Sequence, residues 1–142
     1  MGYIFAILAG AAMSIQGVMN TRLGEKTGLL LSNSYVQGTA FILALIALIF
    51  AKDNNLKGFG EVNKIYLFGG VLGLVITLTV MLSVKKLSPV LAVSVILIAQ
   101  LITAAIIEGF GLMESEKIAF TWNKIVGVIA MIGGVILFKY TG

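Results

Sequence analysis

The stretch Ile65-Tyr66-Leu67-Phe68-Gly69-Gly70-Val71-Leu72-Gly73-Leu74-Val75-Ile76-Thr77-Leu78-Thr79-Val80-Met81-Leu82-Ser83-Val84 contains no charged side chain. About 20 mainly apolar residues, rising ~1.5 Å each, are enough to cross a ~30 Å hydrocarbon layer as a helix. The stretch therefore predicts a transmembrane span. Lys64 precedes it and Lys85 and Lys86 follow, where long basic side chains can reach the two surfaces. Toward the C-terminus, Val90 to Ile107 is again uncharged, with Ser88 and Pro89 placed as N-cap and first helical residue. A shorter run, Ile125 to Phe138, lies between Lys124 and Lys139, with Trp122 and Tyr140 as interfacial rings. Toward the N-terminus, Leu29 to Ala51 and Tyr3 to Thr21 complete the set. The expectation is an all-α membrane protein of five transmembrane helices, approximately 3–21, 29–51, 65–84, 90–108 and 122–140, in one transmembrane domain over 1–142.

Composition agrees. Of 142 residues, 59% are hydrophobic and 11% charged, against roughly 45–50% and ~25% in soluble domains. The chain has no Cys and no His, so disulfides, thiolate metal sites, cysteine nucleophiles and the usual general base are all excluded. A nucleophile, base and orienter cannot be assembled from what remains, and the reading is of no enzyme, no cofactor and no metal. The net charge of +4 comes from basic residues scattered singly or in pairs between apolar runs. That pattern suits loops anchored at a membrane surface and not a nucleic-acid stripe. The first apolar run has no basic side chain before it and four spans after it, so it reads as mature structure and not as a secretory leader.

Loop charges normally fix orientation, because Lys and Arg collect on the cytoplasmic side. With five spans, Lys52, Lys57, Lys64, Lys117 and Lys124 share the side of the N-terminus, and Arg22, Lys26, Lys85, Lys86 and Lys139 fall opposite. The count is five against five. Either a single topology is set by the α-amino group, by folding or by a partner, or the chain inserts both ways and oppositely oriented copies pair. Five helices enclose little, whereas two antiparallel copies make an inverted repeat with a site at its midplane. Small residues suited to close helix approach recur at fourth positions: Gly69 and Gly73; Ala6, Gly10 and Ser14; Ala130 and Gly134. Each set serves equally for packing within one chain.

Polar groups inside apolar spans are costly without a partner or water, so they point to a site. Gln16 and Asn20 lie four apart on one face of the first span. The second span opens with Asn33, Ser34 and Gln37. The fourth has Gln100 at its middle and Glu108 at its end. Thr77 and Thr79 can bond back to their own helix and say little. For Gln16 and Gln100 the competing roles are lining a solute cavity and bonding between helices. Asn20 and Asn33 also fit helix caps near an interface. Glu108, the one carboxylate touching a predicted span, faces the negative end of its own helix dipole. It is a candidate proton or cation coupling group, or else a solvated acid before the Gly109 to Gly111 turn.

The run Gln16, Asn20, Leu23 and Gly24 resembles the first-helix signature of the YdcZ-type inner-membrane exporter family, within the drug/metabolite transporter (DMT) superfamily. Ser34-Tyr35 with Gly38, Gly69-Gly70 with Gly73, Gln100 with Glu108, Phe110 and Gly111, and Gly127 with Gly134 extend the resemblance over essentially the whole chain. It implies half of a DMT-type inverted-repeat transporter, multi-pass in the bacterial inner membrane and acting as an exporter. Glu108 stands where the family usually carries Asp. The related four-helix multidrug exporters embed a Glu in their first helix, where this chain has Gln16, so coupling through a first-helix carboxylate is not expected.

The combined expectation is a homodimer, antiparallel and of dual topology, or a pair with a paralogous partner subunit, moving a small-molecule solute within the lipid bilayer. The first, third and fourth spans would bound its cavity, with the fifth a packing or dimer helix. Gln16 and Gln100 would orient the solute, Asn20 and Gln37 would add polar contacts, Glu108 would couple, and Met13, Leu97 and Met81 would supply apolar wall. An accessory or assembly subunit of a membrane complex is the alternative, and a channel, which needs a continuous polar lining, is less well served by the apolar third and fifth spans.

Overall fold

The computed structural model describes residues 1–51, 54–119 and 121–140. They form helices α1 (Gly2–Thr27), α2 (Leu29–Phe50), α3 (Gly58–Glu61), α4 (Gly69–Lys86), α5 (Pro89–Phe110) and α6 (Trp122–Tyr140), with 3-10 turns at Lys64–Phe68 and Leu112–Glu114. No strand occurs among the described residues. All helices but α3 are long and apolar enough to cross a membrane, the third span running Lys64–Lys86 once its leading 3-10 turn is included. Lys52, counted in the loop-charge balance, lies outside the described residues.

The chain divides into two compact units, Met1–Lys86 and Leu87–Gly142. In the first, α1, α2 and α4 each pack on the other two. The sequence suggests that α1 ends near Thr21, with Arg22 and Lys26 in the loop that follows. Instead the helix continues to Thr27. Arg22 pairs with Glu25 at 3.1 Å one turn on, and Thr27 Oγ1 donates to the Leu23 carbonyl at 2.9 Å. The whole connection to α2 is Gly28, at φ 93° and ψ 148°, a conformation open to glycine and strained for residues with a Cβ.

This one-residue joint holds α1 and α2 close. A Cβ at Gly24 would lie 2.5 Å from Met81 Cε, 3.4 Å from Leu29 Cδ2 and 3.7 Å from Ser32 Cβ, and one at Gly17 would lie 3.1 Å from Val80 Cγ1. Met81, expected along a cavity wall, is instead fully buried in this packing. The interior of the unit is small and polar, with Asn20, Thr21, Ser32 and Asn33 buried beside Met81 and Val84. Large apolar side chains such as Phe5, Leu8, Phe41 and Ile49 are exposed. That inversion is what a bilayer dictates: lipid chains are as apolar as leucine, so helices associate through small residues and polar contacts.

At the far end of α2, Asn54 Nδ2 donates to the Leu48 and Ala51 carbonyls. Asn63 Oδ1 accepts from Ile65 N at 3.2 Å and opens the turn leading into α4. Thr77 and Thr79 bond back to Gly73 and Val75 of their own helix. Of the small-residue sets, a Cβ at Gly73 would lie 3.6 Å from Gln37 Nε2, whereas Gly10, Gly69 and Gly134 have open space where a Cβ would stand.

The second unit is the α5–α6 hairpin. Ser88 caps α5, its Oγ accepting from Leu91 N at 3.3 Å, with Pro89 in the first turn. Gly111 ends the helix in the left-handed region, and its N–H reaches the Glu108 and Ile107 carbonyls. The Glu108 carbonyl also accepts from Ile118 N at 3.1 Å, folding the connecting segment back on the end of α5.

Candidate functional site

The polar residues fall into two groups, one in each unit. In the first, the short joint at Gly28 sets the start of α2 against the later turns of α1. Ser32 Oγ donates to the Asn20 carbonyl at 3.2 Å. One residue on, Asn33 Nδ2 donates to the Leu74 carbonyl of α4 at 3.4 Å, and one turn further Gln37 Nε2 donates to Thr77 Oγ1 at 3.4 Å. Both bonds into α4 exceed the usual 2.7–3.2 Å range. Asn33 is completely buried, and its Oδ1 has no hydrogen-bond donor among the described residues. The seam thus has one acceptor to spare.

Asn20 and Asn33, read from sequence as possible caps, sit inside α1 and α2 and are buried. Continuation of α1 past Arg22 moves Asn20 away from any helix end. The shared face of Gln16 and Asn20 is covered only in part: Asn20 is buried, and Gln16, one turn earlier, is exposed. Gln37 is half-buried. Ser34 is exposed while Ser32, not singled out from sequence, is buried. The heptad-like order Ser32, Asn33, Gln37 shows which flank of α2 faces inward, a signal that several adjacent polar residues obscure.

In the second unit, Glu108 Oε2 accepts from Lys124 Nζ at 2.9 Å. The side chains keep 43% and 34% of their accessible surface, respectively. Lys124 reads from sequence as a surface anchor. Its partner was discoverable only from topology, since the end of one span and the start of the next lie at the same surface. The pair closes one end of a groove of about 400 Å³ between α5 and α6, walled by Leu101, Ala104, Ala105, Val128 and Met131. Gln100 is exposed on α5 and takes no part in this group. Neither Gln16 nor Gln100 has a hydrogen-bond partner among the described residues, and no group of three or more acidic side chains there could hold a metal ion.

Five helices long and apolar enough to cross a membrane define a multi-pass membrane protein. The family described as "Putative inner membrane exporter, YdcZ" matches residues 1–137, and the chain belongs to that family. It is an inner-membrane protein of a transporter family and not of an enzyme family. No curated protein and no solved structure matches it.

Proposed function

We propose that the chain is one half of a small-molecule exporter, completed by a second copy inserted in the opposite orientation around a central cavity. The carrying observation is the pair Gln16 and Gln100, carboxamides within apolar spans, exposed and without hydrogen-bond partners among the described residues. An amide in hydrocarbon with no hydrogen bond costs roughly 2–7 kcal/mol. Two such groups in one chain favour an arrangement that gives them water, solute or another helix. The even division of loop charge between the two sides supplies the means, because neither orientation is preferred. In this reading Gln16 and Gln100 orient the solute, half-buried Gln37 adds a polar contact with buried Asn20 in the seam behind it, and Glu108, tied to Lys124, is the coupling charge.

Because the chain lacks Cys, the test is direct. Gln16→Cys and Gln100→Cys, each alone, should give covalent dimers with a short bifunctional thiol reagent in native membranes. Gln16→Ala and Gln100→Ala should each lower saturable solute flux in liposomes by tenfold or more. Monomer only, with both alanine variants fully active, contradicts the reading; capture of a different protein in place of a second copy supports the accessory-subunit alternative.

A further inference from the structure

The α5–α6 groove has a polarity gradient along its length. The Glu108–Lys124 pair stands at one end, two residues from Trp122, and the walls beyond it are aliphatic as far as Leu101 and Met131. Seven residues separate Glu108 from Leu101 and Lys124 from Met131, so the apolar part extends roughly 10 Å toward the bilayer interior. Each charge opposes its own helix: the acid lies in the last turn of α5 and the base in the first turn of α6. Both therefore depend on a countercharge. A ligand with a single charge would pair with one and leave the other, a third or more exposed, facing the wrong end of its own helix dipole without a countercharge. A ligand with adjacent positive and negative groups replaces the internal pair two for two.

We propose that this groove binds a zwitterionic phospholipid of the surrounding bilayer, with its ammonium on Glu108, its phosphate on Lys124 and the upper part of one acyl chain along Leu101, Ala104, Ala105, Val128 and Met131. The depth order, charge at the interface and aliphatic wall inward, is that of the lipid itself. The site stands whether or not Glu108 couples transport.

Trp122 is the single tryptophan of the chain and reports on the site. The full chain in detergent is titrated with phosphatidylethanolamine or with phosphatidylglycerol, both brominated in the upper acyl chain, and Trp122 quenching is followed. The zwitterionic lipid should reach half-quenching at a concentration at least fivefold below the anionic one; equal midpoints, or a lower one for the anionic lipid, overturn the proposal. The double variant E108Q/K124M strands no charge and should raise the zwitterionic midpoint to the anionic value, while an unchanged midpoint overturns the proposal. The exchange E108K/K124E keeps both charges and should retain the low midpoint, which guards against loss of fold in the neutral variant. Its loss at unchanged helical content also overturns the proposal.

Discussion

Asn33 of α2 and Leu74 of α4 are joined by a stretched bond, amide nitrogen to carbonyl at 3.4 Å, while the other end of the same buried carboxamide accepts nothing among the described residues. A buried acceptor left without a donor costs about 1–3 kcal/mol. Asn33 is therefore a poor choice for stability alone. Asn33→Leu keeps the branching of the side chain and removes the unmet group, so its thermal midpoint in detergent should equal or exceed that of the parent while solute flux falls. A loss of more than about 2 kcal/mol on unfolding would show instead that the amide is a structural tie.

The Glu108–Lys124 pair is open to a double-mutant cycle. Glu108→Gln and Lys124→Met should each destabilise the protein, and the double variant should lose less than their sum. With both side chains a third or more exposed, the coupling should be about 1 kcal/mol or less. Additive effects would mean that the pair contributes nothing. In transport, Glu108→Gln should flatten the dependence of flux on pH, and a profile identical to the parent's would remove Glu108 from coupling.

Close approach at Gly24 gives a packing prediction. A methyl group there meets Met81 Cε first, at 2.5 Å. Because that atom ends a flexible side chain, Gly24→Ala should cost about 1–2 kcal/mol, within the range of modest overpacking. Met81→Ala empties the same place and should cost about 2–5 kcal/mol. Combined, the two should be non-additive, with Gly24→Ala nearly neutral once Met81 is shortened. Equal cost in both backgrounds, read by thermal unfolding in detergent, would contradict the contact.

Five spans were legible because hydrocarbon thickness imposes a length and an absence of charge that sequence displays directly, as in 65–84. Ser88 and Pro89 likewise announced the start of α5, since capping is local. Arg22 and Lys26 misled because charge suggests a loop, yet they continue α1, where Arg22 pairs with Glu25 at i,i+3. Asn20 and Asn33 were conspicuous as polar residues, but whether they cap or pack depends on where the joint falls, and Gly28 alone decides that. Lys124 gave no signal as a partner of Glu108, because contact across a hairpin depends on how the 109–121 connection folds and not on spacing. Gln16 and Gln100 stand on exposed helix faces and have no hydrogen-bond partner among the described residues, so what they meet could not be read from the sequence.

Insertion in both orientations would show in the accessibility of a single loop thiol. Lys57→Cys, at an exposed position between α2 and α3, gives a single thiol in a chain with none of its own. Right-side-out membrane vesicles are treated with a membrane-impermeant thiol reagent, and the labelled fraction is compared with that after permeabilisation. Two oppositely inserted populations predict about half of the final labelling before permeabilisation. Labelling that is complete at the outset, or absent until the membrane is opened, would establish one orientation and contradict the antiparallel pair.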